Sequence, residues 1–225
     1  MTSLNTKALV SVFALTAVMA VLLLLPAGTL RYWQAWVYLA VFFTASILIT
    51  LYLIKNDPAL LERRMRGGPT AESRQSQRVI MLFISIGFIG LLIVPALDKR
   101  FGWSEMPEVV AIAGDVLVAI GFFLIAIVYR ENTFTSATIQ VTKDQKVVST
   151  GPYSIVRHPM YFGALLYLAG TPLALGSYWG FIAFLAIVPF LIWRIFDEER
   201  TLAQELPGYA EYQQHTPHRL IPGVW

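Results

Sequence analysis

Cysteine is absent from the 225-residue chain. This excludes disulfides, thiolate nucleophiles and cysteine-ligated metals. Charge is scarce as well: Asp, Glu, Lys and Arg make up 14% of residues and the net charge is +3, which is not the basic footprint of a nucleic-acid-binding domain. No glycine-rich dinucleotide loop, no P-loop and no H-E-x-x-H helix is present. The three histidines, His158, His215 and His218, form no metal pattern. His215 and His218 lie in a Pro-containing tail that reads as a mobile segment rather than a ligand pair. Internal repeats and low-complexity linkers are also missing.

What the chain does have is apolar length. Hydrophobic residues make up 56% of it, the mean hydropathy is +0.61, and they fall in blocks instead of amphipathic stripes. Crossing about 30 Å of hydrocarbon takes about 20 residues of helix. Six runs approach that length: 8–25, 33–54, 79–97, 109–129, 160–175 and 179–196. The reading is an all-α integral membrane protein of about six transmembrane helices. The first run exceeds a signal-peptide core, and no A-x-A-like site follows it, so it reads as a retained helix. The fifth is the shortest and carries Thr171-Pro172, a site for a kink or tilt.

Six spans place 14 of the 17 Lys and Arg residues on one side and leave Arg31, Lys99 and Arg100 on the other. The positive-inside rule makes the basic side, with both termini, cytoplasmic, and the expected location is a bacterial inner membrane. In loop 2–3, DPALLERRMRGG reads as a short interfacial helix. Leu60, Leu61 and Met65 would meet lipid, and Arg63, Arg64 and Arg66 would meet water or phosphate. Tyr32, Trp33, Trp36, Trp103, Tyr178 and Trp179 fit an outer aromatic belt. Asp115, an acid inside span four, reads as structural, reaching water or pairing locally.

Polar character concentrates after span four. Loop 4–5 holds IQVTKDQKVV, read as a small hairpin turning at 143–145. Then come STGPY and RHPMYFG. Pro159 suits the first turn of a helix, so Arg157 and His158 sit at the cytoplasmic mouth of span five. Taken alone, the pair reads as a headgroup contact. Span six ends in Asp197-Glu198-Glu199. Acids oppose the dipole at a helix C-terminus, so the helix should continue to Leu206, with Pro207-Gly208 as its stop. Arg194 then precedes Glu198 by one turn, which alone reads as a surface pair. Spans five and six form a tight hairpin around 176–178. One cytoplasmic pocket would then hold Arg157, His158, Glu198 and Glu199, roofed by loop 4–5 and the tail. Tyr153, Tyr161, Tyr209 and Tyr212 would supply aromatic walls for a ring or a sulfonium.

In STGPYSIVRHPMYFG, EER and GYAEYQQHTPHRLIPGVW, taken in that order, the region 130–225 resembles the isoprenylcysteine carboxyl methyltransferase family, within a wider group that includes phospholipid N-methyltransferases. NDPALLERRM resembles its bacterial branch. The resemblance implies S-adenosylmethionine as methyl donor, a lipidic or prenylated acceptor, and no metal or nucleic-acid partner. It divides the chain into a scaffold, 1–129, and a catalytic region, 130–225. Matched by position, it implies that Gly151, Pro152, Tyr153, Arg157, His158, Pro159, Tyr161 and Gly163 form the first cofactor segment. Glu198 and Glu199 are the acidic pair, and Tyr212 and Arg219 belong to the tail motif. Glu198 and Glu199 are assigned to the donor's cationic part, and His158 and Tyr161 to holding the donor. Arg157, Glu199 and Arg219 are the catalytic candidates, with Arg157 or Arg219 orienting an acceptor carboxylate. Carboxyl O-methylation is the favoured reaction. Phospholipid N-methylation, an NADPH-dependent membrane reductase and a non-catalytic scaffold are the alternatives.

Overall fold

The computed structural model describes residues 2–142 and 144–225. Among these residues there are eight α-helices and no strand: α1 Thr2–Ala27, α2 Trp33–Asn56, α3 Pro58–Met65, α4 Gln75–Phe101, α5 Glu108–Glu131, α6 Pro159–Ala174, α7 Gly180–Glu205 and α8 Tyr209–His215. Five of them, α1, α2, α4, α5 and α7, are long and apolar enough to cross a membrane. The sixth run becomes α6, with 16 residues. At 1.5 Å per residue it is about 24 Å long, short of the hydrocarbon thickness.

The hairpin expected of spans five and six is only partly formed. Its turn is there: Gly176 takes φ +70°, and Ser177 donates its backbone N–H to the Pro172 carbonyl at 2.9 Å. Yet α6 packs chiefly on α5, and α7 chiefly on α4. Glycines seven residues apart explain the first pairing. Gly114 and Gly121 of α5 face Gly170 and Gly163 of α6. A Cβ built on Gly121 would lie 2.6 Å from the Gly163 carbonyl oxygen, and one on Gly163 would lie 2.9 Å from that of Gly121. Small residues on both sides let two backbones touch where lipid provides no hydrophobic drive. Gly163, expected in a cofactor segment, is thus a packing residue.

Other expectations change with packing. Leu60 and Leu61 are buried against Ala8, Leu53 and Ile125 and do not face lipid. Asp57 caps α3 by accepting from the Leu60 N–H at 2.9 Å. Two of the basic residues of loop 2–3 are internal ties: Arg63 donates to Thr133, and Arg64 donates to the Ser136 carbonyl at 2.7 Å while its guanidinium sits 5.3 Å from the Tyr129 ring centre. Tyr32 is fully buried, its hydroxyl donating to the Leu175 carbonyl at 2.6 Å, so it leaves the aromatic belt to Trp33, Trp36, Trp103, Tyr178 and Trp179. Asp115 is buried, and its carboxylate has no hydrogen-bond partner among the described residues, so the local pairing expected for it is missing. In IQVTKDQKVV a turn forms, Gln145 N–H to the Thr142 carbonyl at 3.0 Å, but no strand flanks it among the described residues. Lys143, the first of the three residues expected to form the turn, lies outside them.

Candidate active site

The site is assembled where four segments meet: the stretch before α6, the last turns of α7, the 132–148 loop and the tail. Gly151, at φ +55°, starts a 3₁₀ turn, Gly151–Ser154. Pro159 then opens α6 with His158 as its N-cap, as expected of a proline whose missing N–H would be unpaired there. The tail is ordered. The N–H groups of Arg157 and His158 donate to the carbonyls of His218 and Arg219, both at 2.9 Å, and the Arg157 guanidinium reaches the carbonyls of Thr216 and Pro217 at 2.7 and 2.8 Å. The mobile tail expected around His215 and His218 is therefore corrected: backbone pairing fixes it.

α7 runs on to Glu205, with Pro207 and Gly208 beyond it, and so carries both acids past the apolar part of the helix. Consecutive residues on a helix point about 100° apart, and the two glutamates have different surroundings. Glu199 is 5% exposed. Its Oε1 accepts from Arg157 Nε at 2.6 Å and meets His158 Nε2 at 3.2 Å, while its Oε2 accepts from Arg219 Nε at 2.9 Å. Three cationic or potentially cationic groups saturate it. Glu198 accepts one bond, from the Tyr161 hydroxyl at 2.6 Å, and lines the cavity.

Behind Tyr161 stands Arg194. The sequence paired it with Glu198 at the surface, but it is 5% exposed and turned elsewhere. It donates to Tyr161 Oη at 3.0 Å, to Gln77 Oε1 at 2.6 Å and to the Ala137 carbonyl at 2.9 Å, and it pairs with Glu72 at 2.9 Å. Glu72 also accepts from the Ile139 N–H at 3.3 Å. Arg194 and Glu72 therefore tie the 132–148 loop to the floor of the site. The sequence carried a signal for this, since an arginine in an apolar span faces the protein interior and a partner.

A cavity opens under that loop. Its walls include Tyr153, Arg157, His158, Pro159, Tyr161, Glu198 and Tyr212, all expected in the site. Gly151, Pro152, Gly163, Glu199 and Arg219 are not among its lining. Gly151 abuts Glu131, and Arg219 lies over the rings of Phe196 and Trp225, 5.0 and 5.5 Å from their centres. Residues not foreseen in the lining include Asn132, Phe134, Ser136 and Arg194. Outside the spans, burial pushes the phenol of Tyr212 up to about 12 and those of Tyr153 and Tyr209 higher still, so near pH 7 they act as neutral hydrogen-bonding groups. Tyr209 also lines the cavity, and its buried hydroxyl has no hydrogen-bond partner among the described residues.

A carboxylate with an unused oxygen, two arginines, a histidine and four phenols, one of them with an orphaned hydroxyl, form a set suited to a zwitterionic, ring-bearing ligand. Comparison with known proteins agrees in kind. Residues 109–207 match the phospholipid methyltransferase family. The chain is 30% identical over 135 residues to Protein-S-isoprenylcysteine O-methyltransferase B of Arabidopsis thaliana, covering 56% of this chain and 64% of that one. It is 31% identical over 104 residues to Cobalt-zinc-cadmium resistance protein CzcN of Cupriavidus metallidurans, covering 45% of this chain and 48% of that one. The chain thus spans about half to just under two thirds of the length of these relatives. It is similar to the group that joins isoprenylcysteine and phospholipid methyltransferases, as its motifs implied.

Proposed function

We propose that this chain is a membrane-embedded, S-adenosylmethionine-dependent methyltransferase that methylates a carboxylate oxygen on a lipidic or prenylated acceptor at the cytoplasmic face. One observation carries the reading. The Arg157-His158-Pro159 mouth of α6 and the Glu198-Glu199 pair of α7 converge at one site, and both lie within the stretch similar to methyltransferases.

When bound, S-adenosylmethionine would supply an electrophilic methyl: a nucleophilic oxygen takes it as the C–S bond breaks and the neutral thioether leaves. The residues present fit such a donor. Glu198 offers a carboxylate oxygen to its cationic part. His158 and Tyr161 hold it from the α6 side, and Tyr153 and Tyr212 provide ring surfaces. Glu199 is better suited to positioning: bound to Arg157, His158 and Arg219, it fixes their geometry without entering the cavity. Arg157 and Arg194 both line the cavity; Arg194 is engaged by Tyr161, Gln77, Ala137 and Glu72, so we assign Arg157 to the acceptor carboxylate, which an arginine orients with directional hydrogen bonds. A carboxylate acceptor is already ionised near neutral pH, so the chemistry needs approach geometry and exclusion of water more than a base.

A second reading, N-methylation of a phospholipid amine, is favoured by the family match. One experiment tests both. Membrane lipid and protein extracts are incubated with the purified protein and methyl-labelled S-adenosylmethionine. O-methylation of a carboxylate predicts label released as methanol by mild base, whereas N-methylation predicts base-stable label in the phospholipid fraction. Absence of donor binding by the folded protein would remove both.

A further inference from the structure

Four tyrosines line the cavity: Tyr153, Tyr161, Tyr209 and Tyr212. The hydroxyls of three have partners. Tyr153 Oη accepts from Asn132 at 3.0 Å, Tyr161 donates to Glu198 at 2.6 Å, and Tyr212 donates to the Tyr153 carbonyl at 2.7 Å. Tyr209 is 4% exposed, and its hydroxyl is buried without a hydrogen-bond partner among the described residues. Its ring is fixed by packing among Val128, Tyr153, Leu206 and Tyr212, its centre 5.7 Å from that of the Tyr212 ring. An apolar neighbourhood accounts for the ring and leaves the oxygen unexplained. A buried hydroxyl left unpaired weakens a fold, and a ligand atom that meets it recovers the loss.

The surroundings say which ligand atom. Arg157, His158 and Glu198 line the same cavity as Tyr209, and Arg157 pairs with Glu199 at 2.6 Å. A carboxylate, an imidazole and a guanidinium thus share the cavity with the Tyr209 hydroxyl, while Val147 and Val148 pack against the tyrosine cluster. A cavity lined by these groups suits a ligand part carrying both an ammonium and a carboxylate.

Resting on the methyl-donor reading, we infer that Tyr209 is a ligand-contacting residue, its hydroxyl hydrogen-bonding the amino-acid end of the donor beside Glu198. This makes it a determinant of which adenosine thioethers bind, not only of packing.

The test is calorimetric titration of the purified protein and of Tyr209→Phe with two ligands. S-adenosylhomocysteine carries the amino-acid end; 5′-methylthioadenosine lacks it. The expected result is an affinity about tenfold weaker for S-adenosylhomocysteine in Tyr209→Phe, the scale of one hydrogen bond to a charged group, with 5′-methylthioadenosine affinity unchanged. The Tm of ligand-free Tyr209→Phe should be no lower than that of the parent protein, because the ring is kept and an unpaired oxygen is removed. Unchanged affinity for S-adenosylhomocysteine would overturn the inference. Equal loss for both ligands would overturn the assignment to the amino-acid end. A lowered Tm would show that the hydroxyl already has a partner in the protein and would overturn it too. If the parent protein binds neither ligand, the methyl-donor reading itself fails, a separate result.

Discussion

Two neighbouring glutamates do different work, and substitutions should separate them. Glu199 neutralises a buried arginine, and removing one partner of a buried ion pair costs about 3–5 kcal/mol. Glu199→Gln should therefore lower Tm by several degrees and loosen the tail. Glu198→Gln keeps an acceptor for Tyr161 and should leave Tm nearly unchanged while abolishing donor binding. Thermal melts and titration in detergent check both. Arg194 makes a third case. Arg194→Met strands Glu72, which is 2% exposed, whereas Arg194→Met with Glu72→Gln strands no charge. The double variant should melt higher than Arg194→Met alone, as coupled neighbours do. At this scale the sequence was a partial guide. It brought Arg157, His158, Glu198 and Glu199 together, because helix caps and helix stops can be read locally. It could not tell which glutamate faces the cavity, since a 100° turn between adjacent residues is resolved only by the packing of α7 on α4. Nor could it pair Arg194 with Glu72 and Gln77, more than a hundred positions earlier in the chain.

Among the elements, the close seam of α5 and α6 and the arginine-tied loop are the features that position the site. Gly121→Val should drive α5 and α6 apart, because its Cβ would sit 2.6 Å from a carbonyl oxygen. A large drop in Tm is expected. Gly90→Ala is the contrasting case: its Cβ meets Ala183 at an ordinary 3.6 Å, and alanine favours helix over glycine by about 0.5–1 kcal/mol. That variant should melt as high as the parent or higher. The loop offers another readout. Arg64→Ala removes a bond to the Ser136 carbonyl, and limited proteolysis should then cut faster within 132–148. Helix positions were legible because apolar runs of membrane length and a proline at 159 announce them. The seam was not, since glycines spaced by seven become meaningful only once two helices face each other. The strands expected in 139–148 do not form among the described residues, where Val141, Val147 and Val148 pack on the tyrosine cluster.

At the scale of the whole molecule, the charge bias proposes a topology: the α6 mouth, the end of α7 and the 132–148 loop would share the cytoplasmic face. The chain's lack of cysteine makes this directly measurable. Glu105→Cys, between α4 and α5, should react with an impermeant maleimide on intact cells, and Gln140→Cys only after permeabilisation. The reverse pattern would invert the topology. The central claim, that the cavity holds a methyl donor, is tested most directly by titrating S-adenosylhomocysteine into the purified protein and into Glu198→Gln at matched Tm. The account predicts saturable binding to one site in the parent protein and its loss in Glu198→Gln. No binding to the folded parent protein, or equal binding to both, would contradict it.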